Sequence, residues 1–252
     1  MGKIIFKWLL GIVGSIVGFC VLLMVLSLVF NHSPEAMSDY TEVTPSYSED
    51  LRKKATDGSP RAQFYMGEYY RLGRGVDIDY EEAARWYRKS AEQGWIWSEL
   101  QLADMYYHGD GVAQNYDEAM KWYRLFEEHE GGREVERIIG LCYLKGHGVK
   151  QDAAQGAEWL EKAAKKNDIH AIYHLGECYY NGIGVEQDYK KAVKLLKDGA
   201  KGGHTGARAL LADCYRLGRG VDVDMEKAQK WYEKAARYGN PKAIEGLKLL
   251  GK

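Results

Sequence analysis

A glycine-centred motif repeats along the chain, and this repetition constrains the fold more than any other sequence feature. The motif Gly-x-Gly-Val begins at Gly73, Gly109, Gly146, Gly182 and Gly218, with spacings of 36, 37, 36 and 36 residues. A tyrosine lies three residues before each first glycine, and an Asp or Asn lies three residues after each valine. A tryptophan follows each valine by ten residues in four copies, and Leu195 takes its place in the other. A period of this length is typical of solenoids, in which small helical units stack on one another.

Each copy of the motif is predicted to join two helices. Before the first motif, apolar residues recur at the helical spacing of four: Ala62, Met66 and Tyr70. Gly73 suits the left-handed conformation that ends a helix. Asp79 is placed to cap the next helix, with Glu82 positioned to complete a capping box. One such hairpin cannot bury both of its faces, so we expect the copies to stack.

The combined pattern resembles a known repeat family. It reads Ala-x3-Leu-Gly, then Tyr-x2-Gly-x-Gly-Val-x2-Asp, then Ala-x2-Trp-Tyr-x-Lys-Ala-Ala, and is similar to the Sel-one-like repeat family, a relative of the tetratricopeptide repeats. The resemblance implies an all-α fold, a right-handed α-solenoid of five helix-loop-helix repeats of about 36 residues each. We place the repeats at residues 61–96, 97–132, 133–169, 170–205 and 206–240, between partial capping helices at 50–60 and 241–252.

One transmembrane helix is predicted to precede the solenoid. Residues 8–30 are uncharged, and these 23 mostly apolar residues match the roughly 20 that a helix needs to cross a bilayer. Lys3 and Lys7 precede the segment, whereas the next basic residue is Arg52. The positive-inside rule therefore predicts a cytoplasmic N-terminus and a solenoid on the periplasmic or extracytoplasmic side. The expected order is a short basic cytoplasmic tail, a membrane anchor, a polar tether and the solenoid, at residues 1–7, 8–30, 31–49 and 50–252.

The apolar segment is expected to remain attached and to act mainly as an anchor. It exceeds the roughly 7–15 apolar residues typical of a cleavable signal peptide. Gly11, Ser15 and Gly18 form a stripe of small residues along one side of the predicted helix. This stripe either supports weak self-association through the membrane helix or reflects how common glycine is in such segments.

Charge and residue inventory argue against nucleic-acid binding and against catalysis. The 35 Lys and Arg residues are balanced by 36 Asp and Glu residues, which leaves no basic surplus to neutralise phosphates. Only two serines, Ser90 and Ser98, occur after Arg61, and alanine replaces each of them in other repeats. Both are therefore expected to pack rather than to act as nucleophiles. The protein is predicted not to be an enzyme and to need no cofactor.

Cysteines and histidines also fit a structural or partner-binding role. The cysteines at the end of the first helices are 36 residues apart and are expected to be buried and reduced: Cys142, Cys178 and Cys214. His170, His174 and Glu177 lie on one helix face, where they either contact a partner or begin a metal site. Because nothing nearby completes a ligand set, no metal is expected.

A row of first-helix residues opposite the predicted core is the candidate partner surface. In related solenoids the first helices line the concave side, so this row is expected to face another protein. Four of the five residues equivalent to position 68 are acidic. They either favour a basic or extended partner segment or form pairs within the solenoid. The predicted partner-binding residues are Arg61, Tyr65, Glu68, Trp95, Trp97, Gln101, Asp104, His170, His174, Glu177 and Asp213.

Two departures from the repeat pattern are part of this prediction. Trp95 and Trp97 have no counterpart in other repeats and are expected to anchor the partner, the alternative being packing against the preceding repeat. Phe126 and Glu127 replace small residues where the second and third repeats meet, next to a one-residue insertion. This bulk is expected to change the local stacking angle.

The predicted function is a membrane-anchored protein–protein interaction scaffold exposed on the periplasmic side. Members of the resembled family are mostly interaction scaffolds, some small relatives are linked to β-lactam binding, and others are envelope-held immunity proteins. An immunity-type inhibitor of an envelope-acting toxin and a general assembly scaffold both fit this sequence. The alternative is a β-lactam-binding or hydrolase-like envelope enzyme.

Overall fold

The computed structural model describes residues 46–251, and within this range the regular structure is entirely helical. The helices are α1 (Glu49–Thr56), α2 (Pro60–Leu72), α3 (Tyr80–Ala91), α4 (Ile96–His108), α5 (Tyr116–His129), α6 (Arg133–Lys145), α7 (Ala153–Lys165), α8 (Ile169–Asn181), α9 (Tyr189–Lys201), α10 (Thr205–Leu217), α11 (Met225–Ala236) and α12 (Pro241–Leu249). Helices α2 to α11 form five successive hairpins, each a first helix packed on a second helix. Helix α1 packs on the first hairpin and α12 on the last. The helical solenoid with its two capping helices is confirmed.

The predicted membrane segment, the tail before it and nearly all of the tether lie outside the described residues. Within residues 46–251, the helices are all too short or too polar to cross a membrane.

The loop glycine and the following Asp or Asn define the helix ends, as predicted. Gly73 ends α2 with φ +65°, and Asp79 Oδ1 accepts a hydrogen bond from Glu82 N at 2.9 Å at the start of α3. The predicted capping box is wrong in its second half. Asp79 N donates to Tyr70 O at 2.9 Å, so the N-cap N–H is already satisfied, and the Glu82 carboxylate pairs with Arg85 instead.

The second glycine of the loop lies against the preceding hairpin in the last four repeats, whereas Gly75 of the first loop lies against Tyr47. Gly148 has φ +65°, and a Cβ atom built on it would overlap the carbonyl of Tyr116 and lie 2.9 Å from Asp117 N. The same contact with the start of the preceding second helix occurs at Gly111, Gly184 and Gly220. This glycine therefore permits both the turn and the close approach of successive units.

Polar pairs link the start of a first helix to the end of the second helix in the same hairpin. Gln93 Nε2 donates to Gln63 Oε1 at 2.7 Å in the first hairpin, and His129 Nδ1 lies 3.1 Å from the Glu99 carboxylate in the second. Glu99 is completely buried, and burial raises its pKa despite the hydrogen bond with His129, which acts in the opposite direction. The first two hairpins thus use a neutral pair and an ionisable pair at the same position.

The three cysteines in this range are buried and free, as predicted: Cys142, Cys178 and Cys214. Burial raises the pKa of Cys142 and of Cys178 to about 11 and that of Cys214 to about 12. These thiols are therefore protonated at neutral pH, and they pack as small apolar side chains.

The first helices lie on the inner side of the arc. Helix α8 contacts α10, and α10 contacts α12, although a second helix lies between them in the chain. Successive second helices in the described part make no comparable contact with one another. The α5–α6 junction is packed more sparsely than the other junctions between successive helices. This junction contains Gly131 and Gly132, where the sequence has its one-residue insertion.

Candidate protein-binding surface

The predicted partner-binding residues lie on or beside the first helices. Arg61, Tyr65 and Glu68 belong to α2, and Trp97, Gln101 and Asp104 belong to α4, which Trp95 precedes. His170, His174 and Glu177 belong to α8, and Asp213 belongs to α10. His170 is exposed and the other ten are half-buried, so each of the eleven reaches solvent.

Three of the four predicted acidic residues accept hydrogen bonds from tyrosines of the paired second helix. Tyr87 OH donates to Glu68 Oε1 at 2.5 Å, and Tyr123 OH donates to Asp104 Oδ1 at 2.6 Å. In the last hairpin, Tyr232 OH donates to Asp213 Oδ1 at 2.5 Å. Each pair joins residues 19 apart, so it is one repeated contact that fastens the first helix to the second.

Arginine completes the contact in the first and last hairpins. Arg71 Nη2 donates to Glu68 Oε2 at 2.9 Å, and Arg71 Nε donates to Tyr87 OH at 3.2 Å. Arg216 bonds Asp213 and Tyr232 in the same way. Burial and the neighbouring Asp213 carboxylate raise the pKa of Tyr232 to about 12, so its hydroxyl remains a donor at neutral pH.

The third hairpin has leucine at both positions of this contact. Leu141 replaces the acid of the first helix, and Leu160 replaces the tyrosine of the second. Carboxylate and tyrosine are thus absent together in this hairpin, whereas the fourth hairpin keeps the acid, Glu177, and has Leu196 at the tyrosine position. The internal pairing that the sequence left open is present, and contact of these carboxylates with a partner stays a prediction.

The fourth hairpin places its acid in an aromatic cluster. Glu177 accepts a hydrogen bond from Tyr173 OH at 2.5 Å and lies 3.1 Å from His174 Nδ1. Burial raises the pKa of Glu177, but these hydrogen bonds outweigh it and the pKa is lowered, so the carboxylate is ionised at neutral pH. His204 stacks on Tyr173 at 4.2 Å between ring centroids, and His170 meets the edge of His204 at 5.0 Å.

These rings offer no metal-binding arrangement. His204 Nδ1 accepts a hydrogen bond from Ala207 N at 3.1 Å, because it caps α10. Burial and the nearby His170 and His174 lower the pKa of His204 to about 4. Across residues 46–251, His, Cys, Asp and Glu side chains form no group of three able to hold a metal ion.

Trp95 and Trp97 pack against aromatic residues of the solenoid. The ring centroid of Trp95 lies 6.4 Å from that of Phe64 in the preceding hairpin. The ring centroid of Trp97 lies 5.8 Å from that of Phe126, in an edge-to-face arrangement. Both tryptophans remain half-buried. Trp97 and Phe126, which both depart from the repeat pattern, therefore pack against each other. A role of the two tryptophans in anchoring a partner stays a prediction.

A groove crosses the inner surface of the last three first helices. It has a volume of about 380 Å³ and runs over α8, α10 and α12. Two predicted residues, Glu177 and Asp213, line it. The other lining residues are Tyr180, Asn181, Leu210, Arg216, Lys242, Glu245, Gly246 and Leu249.

Sequence reasoning missed the wall of the groove formed by α12. Lys242, Gly246 and Leu249 lie 36 residues after Gly206, Leu210 and Asp213, the last-repeat equivalents of Arg61, Tyr65 and Glu68. Extending the repeat register by one unit identifies these three residues as a continuation of the row. They were missed because α12 was interpreted only as a cap.

The repeat assignment rests on sequence as well as on shape. The sequence profile of the Sel1 repeat matches residues 60–95, 98–128, 136–168, 169–204 and 206–240. The chain belongs to the Sel1 repeat family. Sel1 repeats mediate protein–protein interactions, so this protein is an interaction scaffold by family.

Solved Sel1-repeat structures share the fold. A Sel1 repeat protein from Oxalobacter formigenes is 33% identical, with a TM-score of 0.69 over 78% of this chain and 81% of that chain. The protein c5321, a protective antigen of uropathogenic Escherichia coli, is 32% identical, with a TM-score of 0.70. That match covers 77% of this chain but only 41% of c5321, so this chain spans less than half of that relative.

More distant similarity carries less information. The immunity protein PA5088 from Pseudomonas aeruginosa is 19% identical, with a TM-score of 0.42 over 82% of this chain and 70% of that chain. At this level we draw no argument from it. A comparison with curated proteins gave no match.

The two serines considered as nucleophiles are fully buried. Ser98 Oγ donates to Ser90 Oγ at 2.8 Å, and Ser90 Oγ donates to the carbonyl of Pro60 at 2.7 Å. Both hydroxyls are therefore used in packing the first hairpin against the second. Neither is in reach of a substrate.

Proposed function

We propose that this protein is a right-handed, membrane-anchored interaction scaffold whose inner groove binds a segment of another protein. The observation that carries the proposal is the groove across α8, α10 and α12, which continues the row of accessible first-helix residues. A groove formed by successive first helices suits an extended segment that crosses several repeats, because each repeat contributes equivalent positions.

The lining of the groove indicates what kind of segment fits. Leu210 and Leu249 offer apolar contact, and 66% of the Leu249 surface is exposed. Three carboxylates, those of Glu177, Asp213 and Glu245, face two cations, Arg216 and Lys242. We therefore favour a partner segment with apolar side chains and at least one basic residue.

Membrane attachment is the second part of the proposal. Its support is the uncharged segment at residues 8–30 and the position of Lys3 and Lys7 before it. This arrangement would hold the solenoid on the periplasmic side. An immunity-type inhibitor of an envelope-acting toxin combines anchoring, protein binding and absence of chemistry, and a general envelope scaffold combines them equally well.

The test uses the full-length protein in its native membrane. After crosslinking and extraction in mild detergent, co-purifying proteins are identified against a control that carries only residues 1–45. Glu245→Lys, on the groove side of α12, is expected to abolish capture of a partner with a basic segment. Glu226→Lys makes the same charge change on exposed α11, away from the groove lining, and should preserve capture.

The captured protein decides between the two roles. One stoichiometric partner that is toxic to cells lacking this protein supports the inhibitor role. Several components of envelope machinery support the scaffold role. Capture that is unaffected by Glu245→Lys, or is lost equally in both variants, contradicts binding in the groove.

A further inference from the structure

The outer face of α9 carries a concentration of positive charge that no acid of the described residues neutralises in an ion pair. This second helix contains five lysines against one acid, Asp198. Within residues 46–251 none of the five forms an ion pair, and one of them, Lys191, lies over the Tyr179 ring at 5.1 Å. The lysines are Lys190, Lys191, Lys194, Lys197 and Lys201, of which Lys197 is half-buried and the others are exposed.

In each of the other second helices at least one outer cation has an acidic partner. In α3 Arg85 pairs with Glu81 at 3.6 Å, and in α5 Lys121 pairs with Glu118 at 3.8 Å. In α7 Lys165 pairs with Glu161 at 3.1 Å. In α11 Lys227 pairs with Asp224 at 2.6 Å. The charge of α9 is therefore a property of this helix and not of the repeat.

The arrangement on α9 opposes helix stability. Four of the lysines follow one another along one face of the helix, at spacings of four, three and four residues: Lys190, Lys194, Lys197 and Lys201. Like charges at these spacings repel. Lys190 and Lys191 also lie in the first turn, which contains no acid, where the helix dipole disfavours positive charge. Lys201 in the last turn and Lys191 over the Tyr179 ring are favourably placed, but the repulsion along the row Lys190, Lys194, Lys197 and Lys201 remains. A row of like charges that folding does not require points to a role outside the fold.

The positive surface extends to both neighbouring second helices. Lys162 of α7 and Lys230 and Lys234 of α11 are exposed, and Lys162 and Lys234 lie over the rings of Trp159 and Trp231. The patch is thus centred on α9 and lies on the side of the solenoid opposite the groove.

We infer that the outer face of α9 docks on an anionic phospholipid surface. From Lys190 to Lys201 the helix spreads its ammonium groups over about 17 Å, which suits the diffuse negative charge of a headgroup layer. Lysine acts as a flexible point charge, and α9 contains no arginine, the residue that recognises nucleic-acid phosphates and protein carboxylates in a fixed bidentate geometry. Two different faces would then contact the membrane and the partner.

This inference rests on the proposed membrane attachment. An anchor at residues 8–30 followed by a tether of 19 residues would keep the folded repeats close to a bilayer, which raises the effective concentration of lipid at the solenoid. Under that condition a weak electrostatic contact is sufficient to orient the solenoid.

The test measures the reactivity of individual lysines. The full-length protein is reconstituted into vesicles of phosphatidylcholine alone or of phosphatidylcholine with phosphatidylglycerol, and flotation verifies attachment. Brief acetylation followed by mass spectrometry then reports the accessibility of each lysine. We expect the α9 lysines to be protected only in the phosphatidylglycerol vesicles and to lose protection at high salt. Lys89 and Lys121, on α3 and α5, should react equally in both.

Matched variants separate location from net charge. The double variant Lys190→Gln/Lys194→Gln is expected to dock more weakly, by about fivefold for each lysine removed. The weaker docking is measured as lower protection of Lys197 and Lys201 from acetylation. Lys89→Gln/Lys121→Gln makes the same change in net charge elsewhere. It should leave the protection of α9 unchanged.

Each other outcome has a defined meaning. Flotation with both vesicles but equal reactivity of the α9 lysines overturns docking by α9 and leaves membrane attachment intact. A chain that floats with neither vesicle overturns both proposals. Protection of α9 by poly-glutamate or by duplex DNA, but not by anionic vesicles, reassigns the surface to an acidic protein or a nucleic acid and overturns the lipid assignment.

Discussion

The two glycines of one loop should respond very differently to the same substitution. Gly182 and Gly184 have φ values of +71° and +70°, so alanine is equally strained at either position by backbone conformation alone. A Cβ on Gly182 would meet Gln187 Cβ at 3.4 Å, an ordinary contact. A Cβ on Gly184 would overlap the carbonyl of Ala153 at the start of α7 and lie 2.9 Å from Ala154 N.

The expected difference follows from these contacts. Alanine with a left-handed backbone costs about 1–2 kcal/mol, and both variants incur this cost. At position 184 the new methyl meets backbone atoms, which no side-chain rotation can relieve, so the loop must move away from α7. Overpacking of this kind adds about 1–3 kcal/mol. Gly184→Ala should therefore lower the free energy of unfolding by about 2–5 kcal/mol, and Gly182→Ala by about 1–2 kcal/mol.

Thermal unfolding followed by circular dichroism measures this difference. A loss of 1 kcal/mol lowers the melting temperature of a chain of this size by about 2–4 °C, so the two variants should differ by about 5 °C. Amide hydrogen exchange should locate the damage of Gly184→Ala at the start of α7, in the preceding repeat. Equal melting temperatures for the two variants would refute the argument that the second glycine is required by contact between repeats.

Three further outcomes follow from buried groups. Because burial raises the pKa of Glu99, Glu99→Gln should increase the free energy of unfolding at pH 7, where Glu99 is ionised in the unfolded chain. This gain should vanish as the pH falls below the ordinary pKa, where Glu99 itself becomes neutral, and a gain that grows in acid would contradict the assignment. Trp97→Ala and Phe126→Ala should show a coupling of about 1 kcal/mol in a double-mutant cycle of unfolding free energies, whereas strict additivity would deny their contact. An alkylating reagent at pH 8 should modify the thiols of Cys142, Cys178 and Cys214 only after unfolding. Rapid labelling of these thiols in the folded protein would contradict their burial.

The parts of the fold that sequence predicts are those that repeat. Five copies of one pattern define the hairpins, the helix ends and both capping helices, because local spacing and cap chemistry decide them. The capping box failed for a reason that spacing does not show. The N–H of Asp79 is taken by Tyr70 O, in the helix before the loop.

Contacts between distant positions were harder to predict. The acid–tyrosine pairs join aligned positions 19 residues apart, and the sequence signal for them is incomplete: Leu141 and Leu160 replace both members in the third hairpin, but Glu177 remains opposite Leu196 in the fourth. No such signal distinguishes Gly182 from Gly184, since both recur in all five copies. The contact of Trp97 with Phe126 depends on how the two helices rotate against each other, which the sequence pattern leaves open.

The most direct test of the central claim is photocrosslinking from within the groove. A photoreactive residue replaces Leu210 in the full-length protein in its native membrane, and the same residue at exposed Lys230 on α11 serves as the control. The account predicts that one protein is crosslinked from position 210 and that this adduct is absent from position 230. The absence of any protein adduct at position 210, or the same adducts at both positions, would contradict a scaffold that binds its partner in the inner groove.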